Sequence, residues 1–391
     1  MALDPHQCER SAGGGLPPIV RGVAFAVIVL STAFLGPTTW ILPFLPMLFL
    51  SHSWWRITID RFVGSWFIFI TRVLELCFGL KVTVAGDRIE HGKPGLIIMN
   101  HPTGLDWLFF WNALLQMDWR LLTTLKVVLK EVIKKVPGAG WGMQLNTLLF
   151  LNRRMEEDRK RIKDMVEYWA RTENNYQVLM YPEGTTICED TLQKSRKWGE
   201  KHGLPKFDHV LHPRVNGFVL MVQKMRQLKS IDYIYDVTLA YNDVVMESEL
   251  EIFKGNSPKD IRYYVEKFRI GDLPKDDKGL ADWLNERWRL KEERLRAFHD
   301  QPKDTRQLSN GKDVETFKYS DKVQEIRSTW TTIWFFFLAA SIYAITCYPR
   351  AMLLHLAVSS AVFLAALRYY GGFDKLQVEV RKWQLSKPKT Q

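Results

Sequence analysis

The chain has 391 residues and a formal net charge of +11, and 47% of its residues are hydrophobic and 13% aromatic. This length exceeds what one hydrophobic core usually needs, so we expect one main domain with additional segments. The positive charge favours anionic partners such as phospholipid head groups. The basic residues are scattered and no helix-turn-helix or zinc-finger pattern occurs, which argues against nucleic acid. The four cysteines, at positions 8, 77, 188 and 347, lack C-x-x-C spacing, so neither a disulfide framework nor a zinc site is expected.

The N-terminal region combines a Gly/Pro-rich start with a long apolar stretch. Residues 1–18 are predicted to form a disordered tail. Residues 19–50 are predicted to enter a membrane, because the run from 23 to 50 contains no charged residue. Three prolines interrupt this run, so it fits either one kinked span or a hairpin. Residues 51–80 mix aromatic residues with arginines, a pattern that predicts an interfacial amphipathic helix.

The remainder of the chain changes character three times. Residues 81–270 alternate strand-like and helix-like stretches, which predicts an α/β domain. Residues 271–327 form a charged helical segment, expected to present a solvated or membrane-grazing face. Residues 328–369 contain two uncharged apolar runs, which predict a membrane hairpin. The tail at 370–391 is basic, so the positive-inside tendency predicts that it is cytosolic, on the same side as the α/β domain.

Within the α/β domain, the stretch LIIMNHPTGLDWLFF at 96–110 places two ionisable residues where the apolar pattern predicts core. Residues 96–99 predict a buried strand, and the apolar residues from Leu105 onward predict a buried helix. His101 then falls at the carboxyl end of the strand and Asp106 in the first turn of the helix. Open α/β sheets place their ligands at such junctions.

The pair His101 and Asp106 admits a structural and a catalytic interpretation. Thr103-x-x-Asp106 has the spacing of a capping box, in which the carboxylate satisfies amide groups at the start of the helix. In the catalytic interpretation, a neutral imidazole takes a proton from a hydroxyl while the carboxylate fixes its tautomer. The absence of a G-x-S-x-G sequence argues against a serine hydrolase. These residues by themselves leave both interpretations open.

Two further strand-like stretches end in residues suited to binding an anion. FLNRR at 150–154 brings Arg153 to a strand end, where a guanidinium can bind a phosphate through two hydrogen bonds. YPEGTT at 181–186 places Glu183, Gly184 and Thr185 in a strand-to-helix turn. The glycine allows close approach of a ligand, and the threonine offers a hydroxyl and an amide. A surface arginine and an ordinary turn are the structural alternatives.

The three motifs together resemble the glycerophospholipid acyltransferase superfamily. They are N-H-x4-D at 100–106, a strand ending in arginine at 150–154, and P-E-G-T at 182–185. The stretches VPGAGWGMQ, KHGLPKFDHVLHPRVNGF and WLNERWRLKEERLRAF are similar to the lysocardiolipin acyltransferase branch and extend the resemblance over most of the chain. The resemblance implies an α/β fold with a glycerophospholipid-acyltransferase-type sheet flanked by helices, and with N-terminal and C-terminal membrane helices.

The resemblance also implies residue roles. His101 is implied as the catalytic base, with Asp106 as its partner. The positions implied to bind the acceptor are Arg153, Glu183, Gly184 and Thr185. Acyl-CoA is the implied co-substrate, and no metal or other cofactor is implied because the thioester supplies the driving force.

The chain departs from the family pattern at Thr186, where many members have arginine. One phosphate contact is therefore either absent or supplied by Arg154 or Lys194.

The implied function is transfer of a fatty acyl group from acyl-CoA to a free glycerol hydroxyl of lysocardiolipin, lysophosphatidylinositol or lysophosphatidylglycerol. Three alternatives are the same chemistry on lysophosphatidic acid, a catalytically silent membrane scaffold, and a lipid hydrolase. The expected partners are the phospholipid bilayer and the two substrates. The terminus KPKTQ resembles the dilysine retrieval signal, so we expect a multi-pass protein of the endoplasmic reticulum membrane with a cytosolic tail.

Overall fold

The computed structural model describes residues 16–172, 174–309 and 314–387. The disordered tail predicted at 1–18 therefore lies outside the described residues except for its last three, and so does most of the KPKTQ terminus. Within the described ranges the chain forms eight β-strands and thirteen α-helices, with short π and 3-10 turns between some of them.

The strands form one mixed sheet. They are β1 (Lys81–Gly86), β2 (Gly95–Met99), β3 (Leu125–Lys130), β4 (Leu149–Leu151), β5 (Gln177–Met180), β6 (Tyr233–Tyr241), β7 (Asp260–Arg269) and β8 (Thr316–Phe317). Their order is β4-β3-β5-β2-β6-β7-β1-β8. The first five in this order are parallel neighbours, and β7 runs antiparallel to β6. The carboxyl ends of five strands therefore meet at one edge.

Helices cover both faces of this sheet. They are α1 (Pro18–Leu35), α2 (Leu45–Leu50), α3 (His52–Phe78), α4 (Asp106–Met117), α5 (Leu121–Thr124), α6 (Ala139–Leu145), α7 (Met155–Ala170), α8 (Glu189–Lys201), α9 (Val215–Gln227), α10 (Asp277–Asp300), α11 (Asp321–Cys347), α12 (Pro349–Tyr370) and α13 (Phe373–Ser386). A π turn (Gly36–Ile41) and a 3-10 turn (Leu42–Phe44) join α1 to α2. The predicted α/β sheet flanked by helices is confirmed.

Strand β2 shows why the sheet has a core on each face. All five of its residues are buried. Because successive side chains of a strand point to opposite faces, Ile97 and Met99 join one core cluster, whereas Leu96 and Ile98 join the other. The first cluster includes residues of α3 and α4, and the second includes residues of α7, α9 and α10. A parallel strand covered on both faces needs this continuous apolar run.

Helix α3 occupies the segment predicted as an interfacial helix over 51–80, but two charged residues in its first half are buried inside the protein. Arg56 is 1% exposed and pairs with Asp60, and Lys126 of β3 donates to the same carboxylate at 2.9 Å. A helix on a membrane surface would leave these groups in water, whereas here they neutralise one another inside the protein. The interfacial prediction is therefore wrong for this part of the helix.

Helix α10 differs from the solvated helix predicted within 271–327. One of its faces is buried against the sheet: Trp288 and Lys291 are 0% exposed, and Lys291 pairs with Asp236 of β6. Strand β8 also joins the sheet, by antiparallel pairing with β1. The α/β domain consequently extends beyond residue 270, and β1 lies between β7 and β8 in the sheet.

Helix α13 replaces much of the free basic tail predicted at 370–391. The carboxamide oxygen of Gln377, which is 0% exposed, accepts from Trp55 at 2.7 Å and from Arg56 at 2.9 Å. Lys134 donates to the buried carboxylate of Asp374 at 2.9 Å. The chain therefore returns to the α/β domain after α12.

Three helical stretches are long and apolar enough to cross a membrane, by length and composition: Pro18–Ile41, Asp321–Cys347 and Pro349–Tyr370. The first lies in the segment predicted to enter the membrane at 19–50. The six-residue α2 that follows is too short to span a bilayer. Helices α11 and α12 are the pair predicted over 328–369.

Candidate active site

The parallel strands bring the candidate residues to one edge of the sheet. His101 follows β2, Arg153 follows β4, and Glu183 follows β5. These three residues line one cavity of about 960 Å³. Lys130, the last residue of β3, lines the same cavity. Ligands of open α/β sheets bind outside the carboxyl ends of the strands, so this cavity lies where the fold favours a binding site.

His101 and Asp106 form the hydrogen bond that the catalytic interpretation requires. Nδ1 of His101 lies 2.9 Å from Oδ2 of Asp106. Because an ionised carboxylate only accepts, the proton lies on Nδ1 and the lone pair on Nε2. The side chain of Asp106 is 0% exposed, whereas that of His101 is 13% exposed and lines the cavity. A buried acid thus orients a base that a substrate can reach.

Asp106 accepts three hydrogen bonds in addition to the one from His101. The Thr103 N–H donates to Oδ2 at 3.0 Å, and the Thr103 hydroxyl donates to Oδ1 at 3.0 Å. The hydroxyl of Tyr241 donates to Oδ1 at 2.5 Å. The bond from the Thr103 N–H is half of a capping box, but the Thr103 hydroxyl accepts from Leu105 N–H at 3.2 Å instead of completing it. The structural and catalytic interpretations therefore describe one network.

Two neighbours hold His101 in place. Asn100 donates to the carbonyl of Leu239 at 2.9 Å and accepts from its N–H at 2.8 Å, which fixes the end of β2 to β6. The ring of Tyr181 stacks on the imidazole, with centroids 3.9 Å apart and an interplanar angle of 20°. Both the backbone and the ring of the base are thus constrained before substrate binds, which preorganises the site.

Glu183 points into the protein rather than into open solvent. It is 2% exposed, and its Oε1 accepts from the indole N–H of Trp288 at 3.2 Å. Burial raises the pKa of Glu183 to about 8, although the Trp288 indole and the nearby backbone N–H groups of Leu211 and His101 act to lower it. The surroundings of the carboxyl therefore include the backbone of the base.

The turn that contains Glu183 requires a glycine. Gly184 has φ +72°, in the left-handed region that side chains other than glycine rarely adopt, and its N–H closes the turn to the carbonyl of Tyr181 at 2.9 Å. A Cβ on Gly184 would lie 3.1 Å from Cδ of Arg214. Thr185 follows in the cavity wall. The backbone is therefore accessible from the cavity at this turn.

Arg153 lines the cavity without a neutralising carboxylate. It has φ +65°, a strained conformation that is enriched at functional sites. The buried acid nearby, Asp158, uses one oxygen to accept from Asn152 N–H at 2.9 Å and the other to accept from Arg154 N–H at 3.0 Å. Asp158 therefore stabilises the loop and leaves the charge of Arg153 available.

A second arginine, Arg214, lines the same cavity as Arg153. Burial and the positive charge of Arg214 lower the pKa of Arg153. Neither guanidinium forms an ion pair with any residue in the described ranges. Of the alternatives predicted to compensate for Thr186, Arg154 is exposed and pairs with Glu157, whereas Lys194 lines the cavity and pairs with Asp190. Arg214 is therefore a further cation that shares the cavity with Arg153.

A narrow apolar cavity of about 50 Å³ adjoins the first, and Trp107 lines both. Helices α1, α3 and α6 contribute most of its remaining wall, together with Trp334 of α11. Apolar side chains from the candidate membrane helices thus reach the neighbourhood of His101. Among the described residues, no three acidic, cysteine or histidine side chains are grouped so that they could hold a metal ion.

Comparison with known proteins agrees with this arrangement. A family model described as acyltransferase matches residues 81–242, and one described as acyltransferase C-terminus matches residues 251–338. The chain is 32% identical over 363 residues to lysocardiolipin acyltransferase 1 of Gallus gallus, covering 93% of this chain and 95% of that protein. The chain belongs to the acyltransferase family. The resemblance inferred from its motifs is confirmed, and the protein is an acyltransferase enzyme.

Two further relatives of this acyltransferase have names that specify other acceptors. Lysophosphatidylinositol acyltransferase 10 of Caenorhabditis elegans is 34% identical over 345 residues, which cover 87% of this chain and 88% of that protein. Probable 1-acyl-sn-glycerol-3-phosphate acyltransferase 5 of Arabidopsis thaliana is 29% identical over 282 residues, which cover 72% and 74%. All three relatives named are acyltransferases that act on lipids.

Sequence reasoning missed three side chains of this acyltransferase site. Tyr241 ends the strand YDVTLAY, and a polar residue at the carboxyl end of an apolar strand was a usable signal. Arg214 immediately precedes the apolar pattern of α9, which was a weaker signal. Trp288 lies more than a hundred residues after Glu183 along the chain, and no local pattern indicates that the two meet.

Proposed function

We propose that the chain is an acyl-CoA-dependent lysophospholipid acyltransferase acting on lysocardiolipin, lysophosphatidylinositol or lysophosphatidylglycerol. The observation that carries this proposal is that His101, held by Asp106, lines one cavity with the unpaired Arg153 and Arg214. A base beside an anion site suits a substrate that has both a free hydroxyl and a phosphate. The apolar side chains next to Trp107 suit contact with an adjoining acyl chain.

In the proposed reaction, Nε2 of His101 takes the proton of the acceptor hydroxyl as its oxygen attacks the thioester carbonyl carbon. Asp106 stabilises the imidazolium that forms. The carbon–sulfur bond then breaks, and His101 returns the proton to the leaving sulfur, so coenzyme A departs as a thiol. The backbone N–H groups of Thr185 and Thr186 are the proposed donors to the intermediate oxyanion. The thioester supplies the driving force, so no metal or other cofactor takes part.

The acceptor's phosphate is the proposed ligand of Arg153. A guanidinium at this position offers two parallel hydrogen bonds to phosphate oxygens. Gly184 and Thr185 are proposed to contact the acceptor alongside it, since both line the same cavity. Glu183 is 2% exposed and accepts from the indole N–H of Trp288, so we propose that it holds the turn and the base rather than binding phosphate.

The choice of acceptor rests on the relatives. Those named for lysocardiolipin and lysophosphatidylinositol match more of the chain than the one named for 1-acylglycerol-3-phosphate. These names support a lysophospholipid whose phosphate also carries a polyol. The runner-up acceptor is lysophosphatidic acid, which would yield phosphatidic acid by the same steps.

We propose further that the enzyme is a multi-pass protein of the endoplasmic reticulum membrane with a cytosolic tail. The support is three helices of spanning length and the docking of α13 onto the α/β domain, which requires both to lie on one side. Antibody access to a C-terminal tag after selective plasma-membrane permeabilisation, with an organelle marker, tests this placement. A tag that is reached only after full permeabilisation would contradict it.

The central test compares His101→Ala with His91→Ala, which removes a histidine near the opposite, amino end of β2. Thiol release is measured with one acyl-CoA and each lysolipid in turn. His101→Ala should lower turnover about 10²- to 10⁴-fold, the usual contribution of a general base, while His91→Ala should not. Retained turnover in His101→Ala would contradict the mechanism. Preference for lysophosphatidic acid would support the runner-up, and fatty acid release without acceptor would support a hydrolase.

A further inference from the structure

We propose that Trp288 of α10 is a positioning residue, which sets the geometry of the catalytic base through Glu183. The indole N–H donates to Glu183, and the turn that carries Glu183 contacts the base through the ring of Tyr181, which stacks on the His101 imidazole with centroids 3.9 Å apart. This connects the segment matched by the acyltransferase C-terminus model to the residue that performs the chemistry. The inference rests on the proposed role of His101 as base.

The connection is buried along its length. Trp288 is 0% exposed and Glu183 is 2% exposed. In such surroundings a hydrogen bond to a carboxyl group cannot be replaced by water, so losing the donor leaves the carboxyl under-satisfied and free to move. Any movement of the carboxyl also moves the turn from Tyr181 to Ile187, which contacts His101. Tyr181 stacks on the imidazole, and the Ile187 N–H donates to the carbonyl of His101 at 3.1 Å, so both the ring and the backbone of the base rest on this turn.

The same face of α10 holds the other segments that meet at Glu183. Glu292, one turn after Trp288, accepts from the N–H groups of Asp208 at 2.9 Å and His209 at 2.8 Å. These residues lead to Arg214, whose N–H donates at 2.8 Å to the carbonyl of Pro182, the residue before Glu183. The helix therefore orients the loop and the carboxyl together.

Helix α10 is itself fixed to the sheet. Lys291, three residues after Trp288, donates to the carbonyl of Val237 at 2.6 Å and pairs with Asp236, and its ammonium lies 5.3 Å from the centroid of the Trp288 ring. Asp236 lies in β6 opposite Ile98 of β2, the strand that leads to His101. The indole therefore has one well-defined position relative to the strand that carries the base.

The test is Trp288→Phe, which keeps an aromatic ring and removes the N–H donor. The matched control is Trp283→Phe on the same helix, because Trp283 packs against Phe218 and Phe268 without a hydrogen bond to the site. Trp288→Phe should lower kcat about 10- to 100-fold with both KM values within about twofold, the range expected for losing a bond to a carboxyl group in the transition state. Trp283→Phe should retain wild-type kcat at a comparable thermal midpoint.

A double-mutant cycle with Glu183→Gln separates this role from packing. If Trp288 acts through Glu183, the double variant should have nearly the kcat of Glu183→Gln alone. The inference would be overturned if the kcat losses of the two single variants multiplied in the double variant. Equal kcat in Trp288→Phe and Trp283→Phe would also overturn it. If Trp288→Phe does not fold, the kcat of Glu183→Gln is the deciding measurement. A wild-type kcat in Glu183→Gln would overturn the inference. Retained turnover in His101→Ala would instead remove the proposed base, so the two failures are distinguishable.

Discussion

Asp106→Asn is the substitution that best separates a catalytic carboxylate from a helix cap. In the folded site Asp106 accepts from His101, from the N–H and hydroxyl of Thr103, and from the hydroxyl of Tyr241. An asparagine can keep its oxygen toward His101 and the Thr103 N–H. Its amide group then faces two hydroxyls, which can rotate to accept. The substitution therefore removes the negative charge with little loss of hydrogen bonding.

The expected effect follows from that charge. Opposite unit charges about 4 Å apart attract by about 4 kcal/mol at an effective dielectric constant near 20. The imidazolium formed as His101 takes the proton would lose about this stabilisation, which corresponds to roughly a thousandfold lower kcat. A purely structural Asp106 predicts something else, because asparagine caps helices about as well as aspartate and stability should change by less than about 1 kcal/mol.

The assay is release of the coenzyme A thiol in detergent micelles that contain the lysophospholipid, with thermal midpoints measured on the same preparations. Asp118→Asn is the control, since Asp118 follows the other end of α4 and pairs with Arg120 away from the cavity. The control should retain its turnover. If Asp106→Asn turns over within about threefold of the wild type, the charge does not support catalysis and the reasoning is refuted.

Two further predictions concern Arg153 and Glu183. Arg153→Ala should raise the KM for the lysophospholipid about 10- to 100-fold and leave that for acyl-CoA nearly unchanged, because a charge-assisted hydrogen bond contributes about 1.5–3 kcal/mol. Arg153→Lys should restore part of the affinity for the lysophospholipid. Arg154→Ala, at an exposed neighbouring position, is the control. Equal changes in both KM values would contradict the assignment of Arg153 to the acceptor's phosphate. Because the pKa of Glu183 is about 8 in the folded protein and 4.5 when unperturbed, the folded state holds an extra proton between these values. The resulting stability is present below pH 4.5 and is lost as the pH rises through 8, so the thermal midpoint should fall more steeply in the wild type than in Glu183→Gln. Parallel pH curves would contradict this prediction.

The sequence by itself determined the local framework of the site. A short apolar run, a turn and a longer apolar run predicted β2, its loop and α4, because periodicity and turn chemistry are local properties. The five-residue spacing then placed His101 and Asp106 on either side of one turn, within hydrogen-bonding reach. The long uncharged runs likewise indicated the three helices of spanning length, since length and apolar character alone define such a stretch.

Only the tertiary structure decided which charged and polar groups pair across elements. The sequence places Arg56 on the polar side of an interfacial helix, whereas in the structure it pairs with Asp60, which also pairs with Lys126. The sequence likewise predicts a solvated helix α10, whereas Lys291 of this helix pairs with Asp236 in the sheet. Whether a charge faces water or a partner depends on strands and helices distant in sequence, and hydrophobic periodicity carries no information about them. The same reason applies to Trp288, which meets the catalytic loops because the sheet order brings β2, β5 and β6 side by side beneath α10.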